Sequence, residues 1–330
     1  MFRGGKAGFF ILENTGKNLR FRFAARLCAK YFAQSLASVL PLVCFLAFAA
    51  CKSGQANLAE NAPSREVSDD LGRKVKIPLK TERAVSLAPN LTENIFAVGA
   101  GDRLVGVTTF CNYPAEAEKI RKIGDTMAPN MEAIIALKPQ IVFVSTASQI
   151  ESFTKTLEQQ NITVFVTNPK DLEGVYRNLY QLGEIFGTED ETRRKVDELR
   201  RRVADVEART ATAADVKVFV QISKEPLFTI GTDSFLTEII NRAGGVSVTA
   251  QVPTAYPRFS KETALALQPE AIILSESDDN PEPNEVFKDS PAVKNGRVFR
   301  INADLLSRPS PRIVEALERM AKDLHPESFK

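Results

Sequence analysis

The sequence predicts an α/β protein of two lobes, each built on a parallel sheet, with one long helix between them. Three observations carry this. Short apolar runs alternate with helical stretches in both halves of the chain, as in parallel sheets covered by helices. A segment of the first half returns in the second at a constant offset of 130 residues: MEAIIALKPQIVFVS (131–145) lies over KETALALQPEAIILS (261–275). The match pairs Glu132 with Glu262, Ala136 with Ala266, Leu137 with Leu267, Pro139 with Pro269 and Ser145 with Ser275. Between the halves stands EDETRRKVDELRRRVADVEAR (189–209), without Gly or Pro. Its Val196, Leu199, Val203 and Val206 step by three, four and three, which draws one narrow apolar stripe along a helix roughly 30 Å long.

The chain opens with a leader. Residues 31–50 (YFAQSLASVLPLVCFLAFAA) carry no charge and follow a basic segment ending at Lys30, so residues 1–50 have the layout of a secretory signal peptide. The apolar run is also long enough to cross a bilayer as an uncleaved anchor, but Pro41 and the small Ala49-Ala50-Cys51 ending favour processing. Residues 51–66 hold no large apolar group apart from Leu58 and read as a flexible tether.

The first lobe is expected over residues 67–188. Val67–Leu79 alternates around Asp70-Leu71-Gly72, a hairpin. Arg83–Leu87 is a short buried strand, Pro89 and Asn90 turn the chain, and Thr92–Val98 is a helix closed by Gly99. Strands follow at Leu104–Thr109, Ile141–Ser145 and Ile162–Thr167, with helices at Met131–Leu137 and Gln149–Gln160. The connecting helix occupies 189–210, and Thr188 with Glu191 fits a capping box at its start. The second lobe, 211–330, restarts the pattern: a strand at Val216–Ile222, then a helix at Phe235–Ala243 closed by Gly244-Gly245. After the repeated segment, Ser310-Pro311-Arg312 opens the last helix, with Ser310 as cap and Pro311 at the first helical position.

Composition narrows the function. A chain of 330 residues, 44% hydrophobic and 25% charged, has material for two ordinary domains. The formal charge of +2 is set by the leader, where seven bases face Glu13; beyond residue 50 there are 36 bases and 40 acids. A slightly acidic body argues against a nucleic-acid partner. Cys28, Cys44 and Cys51 lie in or just after the leader, and Cys111 alone remains in the body. One cysteine builds neither a disulfide framework nor a Cys-rich metal site, and Cys111 reads as a small buried or loop residue. His325 is the single histidine, whereas most metal centres and acid–base mechanisms lean on histidine. The chain also lacks a GxSxG elbow and a P-loop. We therefore expect no catalytic residues, no metal and no cofactor, and a binding protein before an enzyme.

Three stretches resemble a known family. AVSLAPNLTENIFAVGAGDRLVGVTTFCNYP (84–114), NMEAIIALKPQIVFV (130–144) and SRPSPRIVEALE (307–318) are similar to the solute-binding proteins of ABC importers for cobalamin and iron–siderophores. The similarity runs from about Val67 to Leu324. It implies two Rossmann-like lobes with parallel sheets joined by a single long helix, the class III periplasmic binding protein fold. It further implies a monomer that captures a cobalamin-type corrinoid between its lobes and delivers it to an ABC permease and its ATPase. An iron–siderophore or haem on the same scaffold is the alternative ligand; an extracytoplasmic α/β enzyme and an adaptor without a small ligand are the other classes.

Resemblance also assigns residues, to lipoproteins at the leader's end and to the importer family's binding proteins in the body, and Arg258 is read from its own position. Phe48-Ala49-Ala50-Cys51 is similar to a lipoprotein lipobox, with Phe48 in place of the usual Leu, so Cys51 would be acylated and would hold the body at the membrane, in the periplasm or on its outer face. Phe110 matches a cleft aromatic, Tyr256 a position usually held by Trp, and Asp304 a cleft aspartate. Thr126 stands where those relatives carry a further Trp, and this chain has no Trp. Arg258, beside Tyr256, either meets a ligand carboxylate or phosphate or is a solvated surface group. Glu132 and Glu262 match glutamates that engage arginines on the two permease subunits, although each alone also reads as a first-turn acid favoured by the helix dipole.

Overall fold

The computed structural model describes residues 63–146 and 150–330. The expected signal peptide and Cys51, with most of the tether, lie outside them. Residues 63–330 form one compact unit. It begins with β1 (Ser64–Ser68) and β2 (Lys74–Pro78), an antiparallel hairpin that starts three residues earlier than the alternation suggests. The Asp69 carboxylate accepts from the amides of Leu71 and Arg73 at 3.0 and 2.9 Å and so shapes the turn, with Gly72 at φ +75°.

The first lobe then alternates β3 (Ala84–Ser86), α1 (Pro89–Ala97), β4 (Leu104–Val107), α2 (Met131–Ala136), β5 (Ile141–Ser145), α3 (Ile150–Glu158), β6 (Thr163–Thr167) and α4 (Leu172–Phe186). Pro89 starts α1 instead of turning the chain, because a proline at the first helical position forfeits no hydrogen bond. After α5 (Glu189–Thr210), the second lobe runs β7 (Val216–Gln221), α6 (Phe235–Arg242), β8 (Gly245–Ser247), α7 (Lys261–Leu267), β9 (Ala271–Glu276), α8 (Pro291–Lys294), β10 (Val298–Asn302), α9 (Ala303–Ser307) and α10 (Ile313–Leu324).

Both sheets are four-stranded and parallel throughout, in the orders β4-β3-β5-β6 and β8-β7-β9-β10. Numbered within each lobe, both read 2-1-3-4. The 130-residue correspondence therefore survives in three dimensions: α2–β5 and α7–β9 occupy the same place in their lobes.

Period-two alternation divides the core. Val85, Val142, Val144, Val164 and Val166 face one way into a cluster confined to the first lobe, and Phe219, Ile272 and Leu274 into one confined to the second. Ala84, Ile141, Phe143 and Phe165 face the other way, as do Val218, Val220, Ala271 and Ile273. These inner faces join a single apolar cluster with residues of α1, α4, α5, α6 and α10. The two lobes thus share one continuous helical layer.

α5 runs through that layer. Val196, Leu199, Val203 and Val206 are all buried, flanked by buried Thr192 and Thr210, and the helix packs on α4 and on α10. Arg202 forks onto Glu318 of α10 at 2.7 and 2.8 Å, and Arg200 pairs with Glu173 of α4 at 2.8 Å. The expected capping box is absent: Thr188 is the N-cap residue, but its hydroxyl makes no capping bond and is buried without a partner. Glu191 instead lies over Gly99, where any Cβ would collide with its carboxylate. α4, β8 and β10 have no counterpart in the sequence reading. α4 is interrupted by Gly174 and Gly183, which weaken a helical pattern; Gly183 is there because a Cβ would stand 2.3 Å from Thr192 Oγ1 of α5. Gly244 alone closes α6, at φ +80°, and Gly245 begins β8.

Candidate functional site

In an open parallel sheet, ligands meet the loops that leave the carboxyl ends of the strands. Here those loops follow β4, β8 and β10, and they carry the residues singled out above. In the loop after β4, Phe110 is 58% exposed and Tyr113 is exposed as well. The exposure is held in place from beneath. Cys111 is buried with its Sγ 3.1 Å from both Thr92 Oγ1 and Thr108 Oγ1, and Lys122 Nζ donates to the Cys111 carbonyl at 2.7 Å. Further along, Thr126 is half-buried in a turn whose Asp125 carboxylate accepts from the amides of Met127 and Ala128 at 2.7 and 2.6 Å.

After β8, Tyr256 is 49% exposed on a loop clamped to the lobe. Gly231 N donates to the Ala255 carbonyl at 3.1 Å, and Thr229 N to that of Pro257 at 3.2 Å. A Cβ at Gly231 would stand 2.3 Å from the Val252 carbonyl, so only glycine lets this loop close. Arg258 is exposed and has no ion-pair partner among the described residues. It borders a surface hollow of about 610 Å³ together with Glu225, Lys261 and Glu262.

After β10, Asn302 caps α9 by accepting from Asp304 N at 2.8 Å, which sets Asp304 in the first turn. Its carboxylate reaches the other lobe: Oδ2 accepts from Asn112 Nδ2 at 3.0 Å, and Oδ1 lies 2.7 Å from Arg308 Nη2. The structure thereby brings Asp304 to the Phe110 loop. Tyr256, Arg258 and Thr126 stay on their own loops, with no direct bond to that pair among the described residues.

Beneath this contact lies a cluster the sequence reading missed. Glu93, on α1, is 4% exposed, and its carboxylate is met entirely from the second lobe. Arg308 Nη1 donates at 2.8 Å, Arg312 Nη1 at 3.2 Å and Ser310 Oγ at 2.6 Å. Ser310 therefore does not cap the last helix, which begins at Ile313 without a side-chain cap; its hydroxyl is spent on the buried carboxylate. Two guanidiniums and two carboxylates balance, as charges withdrawn from water require. All four lie in the stretches 84–114 and 303–312, but no periodicity pairs residues more than 200 positions apart.

Glu132 and Glu262 are placed alike. Each is exposed in the first turn of a short helix, behind an N-cap that accepts from the third residue on: Asn130 from Ala133 N at 2.9 Å, Ser260 from Thr263 N at 3.0 Å. Neither carboxylate has an ion-pair partner among the described residues. No three His, Cys, Asp or Glu side chains among the described residues gather where they could hold a metal ion.

A family model described as periplasmic binding protein matches residues 85–305. The chain is 31% identical over 273 residues to an uncharacterised ABC transporter substrate-binding lipoprotein, YvrC, of Bacillus subtilis (strain 168), covering 80% of this chain and 86% of that one. Among solved structures it resembles the periplasmic vitamin B12 binding protein BtuF of Vibrio cholerae, with a TM-score of 0.68 and 28% identity over 77% of this chain and all of that one. A periplasmic heme binding protein from Pseudomonas aeruginosa has the same fold, with a TM-score of 0.66 and 24% identity over 74% of this chain and 93% of that one.

Proposed function

The chain belongs to the periplasmic binding protein family, and on that premise we propose that it captures a cobalamin-type corrinoid between its lobes and hands it to an ABC importer. Its membership and its relatives make it an extracytoplasmic substrate-binding protein that works with a permease and ATPase, and not an enzyme. The observation that carries the ligand is the exposure of Phe110 and Tyr256 on clamped loops at the carboxyl ends of the two sheets. Large aromatic faces left in water by rigid loops suit a broad, flat, partly apolar ligand. Asp304 keeps about a third of its side chain exposed, and each carboxylate oxygen retains acceptor capacity for the amide fringe of a corrinoid. Thr126 would leave room at one edge of the ligand, and Arg258, unpaired, would meet any acidic group there.

Binding of this kind needs no bond chemistry. The shared apolar layer restrains the lobes, so capture proceeds in a cleft already close to its bound shape. Glu132 and Glu262, free carboxylates at equivalent corners, are the surfaces we assign to the two permease subunits. Acylation at Cys51 would keep a monomeric body near the membrane on its tether. The absence of Trp favours a second reading on the same scaffold, an iron–siderophore or haem. Calorimetric titration of residues 52–330 with cyanocobalamin, ferric siderophores and haem separates them. Saturable binding of cyanocobalamin is expected; saturation by an iron ligand alone would replace the corrinoid.

A further inference from the structure

We infer that Glu93 is a positioning residue for the ligand site: it locks the two lobes together and, through Arg308, holds Asp304 against the loop that carries Phe110. The inference rests on the reading that Phe110 and Asp304 line the cleft. Its physical basis is the path of bonds. Glu93 belongs to α1 of the first lobe, and all three groups on its carboxylate come from the segment 308–312 of the second. Arg308, only 8% exposed, then reaches four acceptors: Glu93 Oε1 at 2.8 Å, Asn112 Oδ1 at 2.7 Å, Asp304 Oδ1 at 2.7 Å and the Phe110 carbonyl at 3.4 Å. Asn112 closes a ring, because its Oδ1 accepts from Arg308 while its Nδ2 donates to Asp304 Oδ2 at 3.0 Å. One Asp304 oxygen is thus held on Arg308 and the other on Asn112, which fixes the rotation of the carboxylate. Arg312 adds a stacked contact, its guanidinium 4.0 Å from the centre of the Tyr113 ring. The loop 110–113 is tied to the second lobe at each of these points.

The planar fork of a guanidinium satisfies several acceptors only at one spacing. A wider separation of the lobes would break the Glu93, Asn112 and Phe110 bonds of Arg308 together. Without the Glu93 charge, Arg308 would keep Asp304 as its one carboxylate partner and Arg312 would lose its ion pair. The uncompensated charge in a nearly dry site would be relieved by admitting water between the lobes. Glu93 accordingly acts on the ligand without touching it.

The test uses residues 52–330, which contain all three apolar cores of the compact unit, with spin labels at Gln159→Cys on the first lobe and Lys294→Cys on the second. Cys111 is buried and takes no label. In the ligand-free protein, Glu93→Gln is expected to broaden the interlobe distance distribution and move it to longer distances. A distribution unchanged in a folded Glu93→Gln protein overturns the lock, whatever the ligand proves to be. Ser310→Ala, which removes one neutral donor, is expected to give the same shift in smaller measure and serves if Glu93→Gln does not fold. For cyanocobalamin, Glu93→Gln is expected to raise Kd about tenfold, on the scale of one charge-assisted hydrogen bond. In an Asp304→Asn background the same substitution should change Kd far less, since it acts through that carboxylate. Fully additive effects would overturn the positioning role. If the wild-type protein binds no corrinoid, the ligand reading falls and the distance measurement alone decides the lock.

Discussion

Tyr176 of α4 lies at 2% exposure, with its hydroxyl unpartnered and the Arg200 guanidinium 5.2 Å from its ring centre. Burial, assisted by the Glu173 charge and opposed by Arg242 and Arg200, pushes its phenol up to about 12 from the usual 10.0. The neutral phenol therefore favours the folded state. Its contribution is complete below pH 10 and is lost as pH rises through about 12. Tyr176→Phe should escape that loss, so the variant is expected to outlast the wild type in urea denaturation between pH 10 and 12. At neutral pH the two should be nearly equal, because no hydrogen bond is given up. At this scale the sequence was legible where chemistry is local: Cys111, expected to be a small buried or loop residue, is buried. Glu93 was not legible. An acid inside an amphipathic helix looks like any solvated acid until the second lobe arrives to cover it.

Among the elements, α5 shows which of its contacts matter. The stripe from Val196 to Val206 was readable from spacing alone, and each of its members is buried. Leu199→Ala should cost about 2–5 kcal/mol, because it opens a cavity in the shared layer. Arg202→Ala should cost about 0–1 kcal/mol despite its bidentate bond to Glu318, because both partners are about a third exposed and water screens them. Urea denaturation of the two variants checks the ranking. Val203→Pro removes a hydrogen bond and clashes with the preceding turn at the middle of a core common to both lobes. The expected outcome is one lowered transition for the whole body; two separate transitions would show that the lobes do not depend on the layer. α4 escaped the sequence reading for an instructive reason. Its glycines weaken the local helical signal, yet Gly183 is what allows α4 to approach α5.

For the whole molecule, duplication has a consequence at the surface. Two equivalent helices carry Glu132 and Glu262 behind equivalent caps, so the body presents the same unpaired carboxylate twice. Reversing both charges, Glu132→Lys with Glu262→Lys, is expected to abolish uptake in cells while ligand Kd changes far less, since exposed charges screened by water contribute little to binding. Uptake at the wild-type rate would remove the docking role.

By itself, the sequence determined the α/β class, the two related halves, the connecting helix and most strand positions. These follow from periodicities of two and 3.6 residues and from one internal repeat, signals that each segment carries alone. Only the tertiary structure decided that the halves share one apolar layer, that the strand orders are identical, and that Glu93 meets Arg308, Ser310 and Arg312. Those facts depend on which surfaces are buried against each other. A carboxylate and a guanidinium separated by 215 residues leave no trace in local pattern, because their pairing exists only once two lobes close over it.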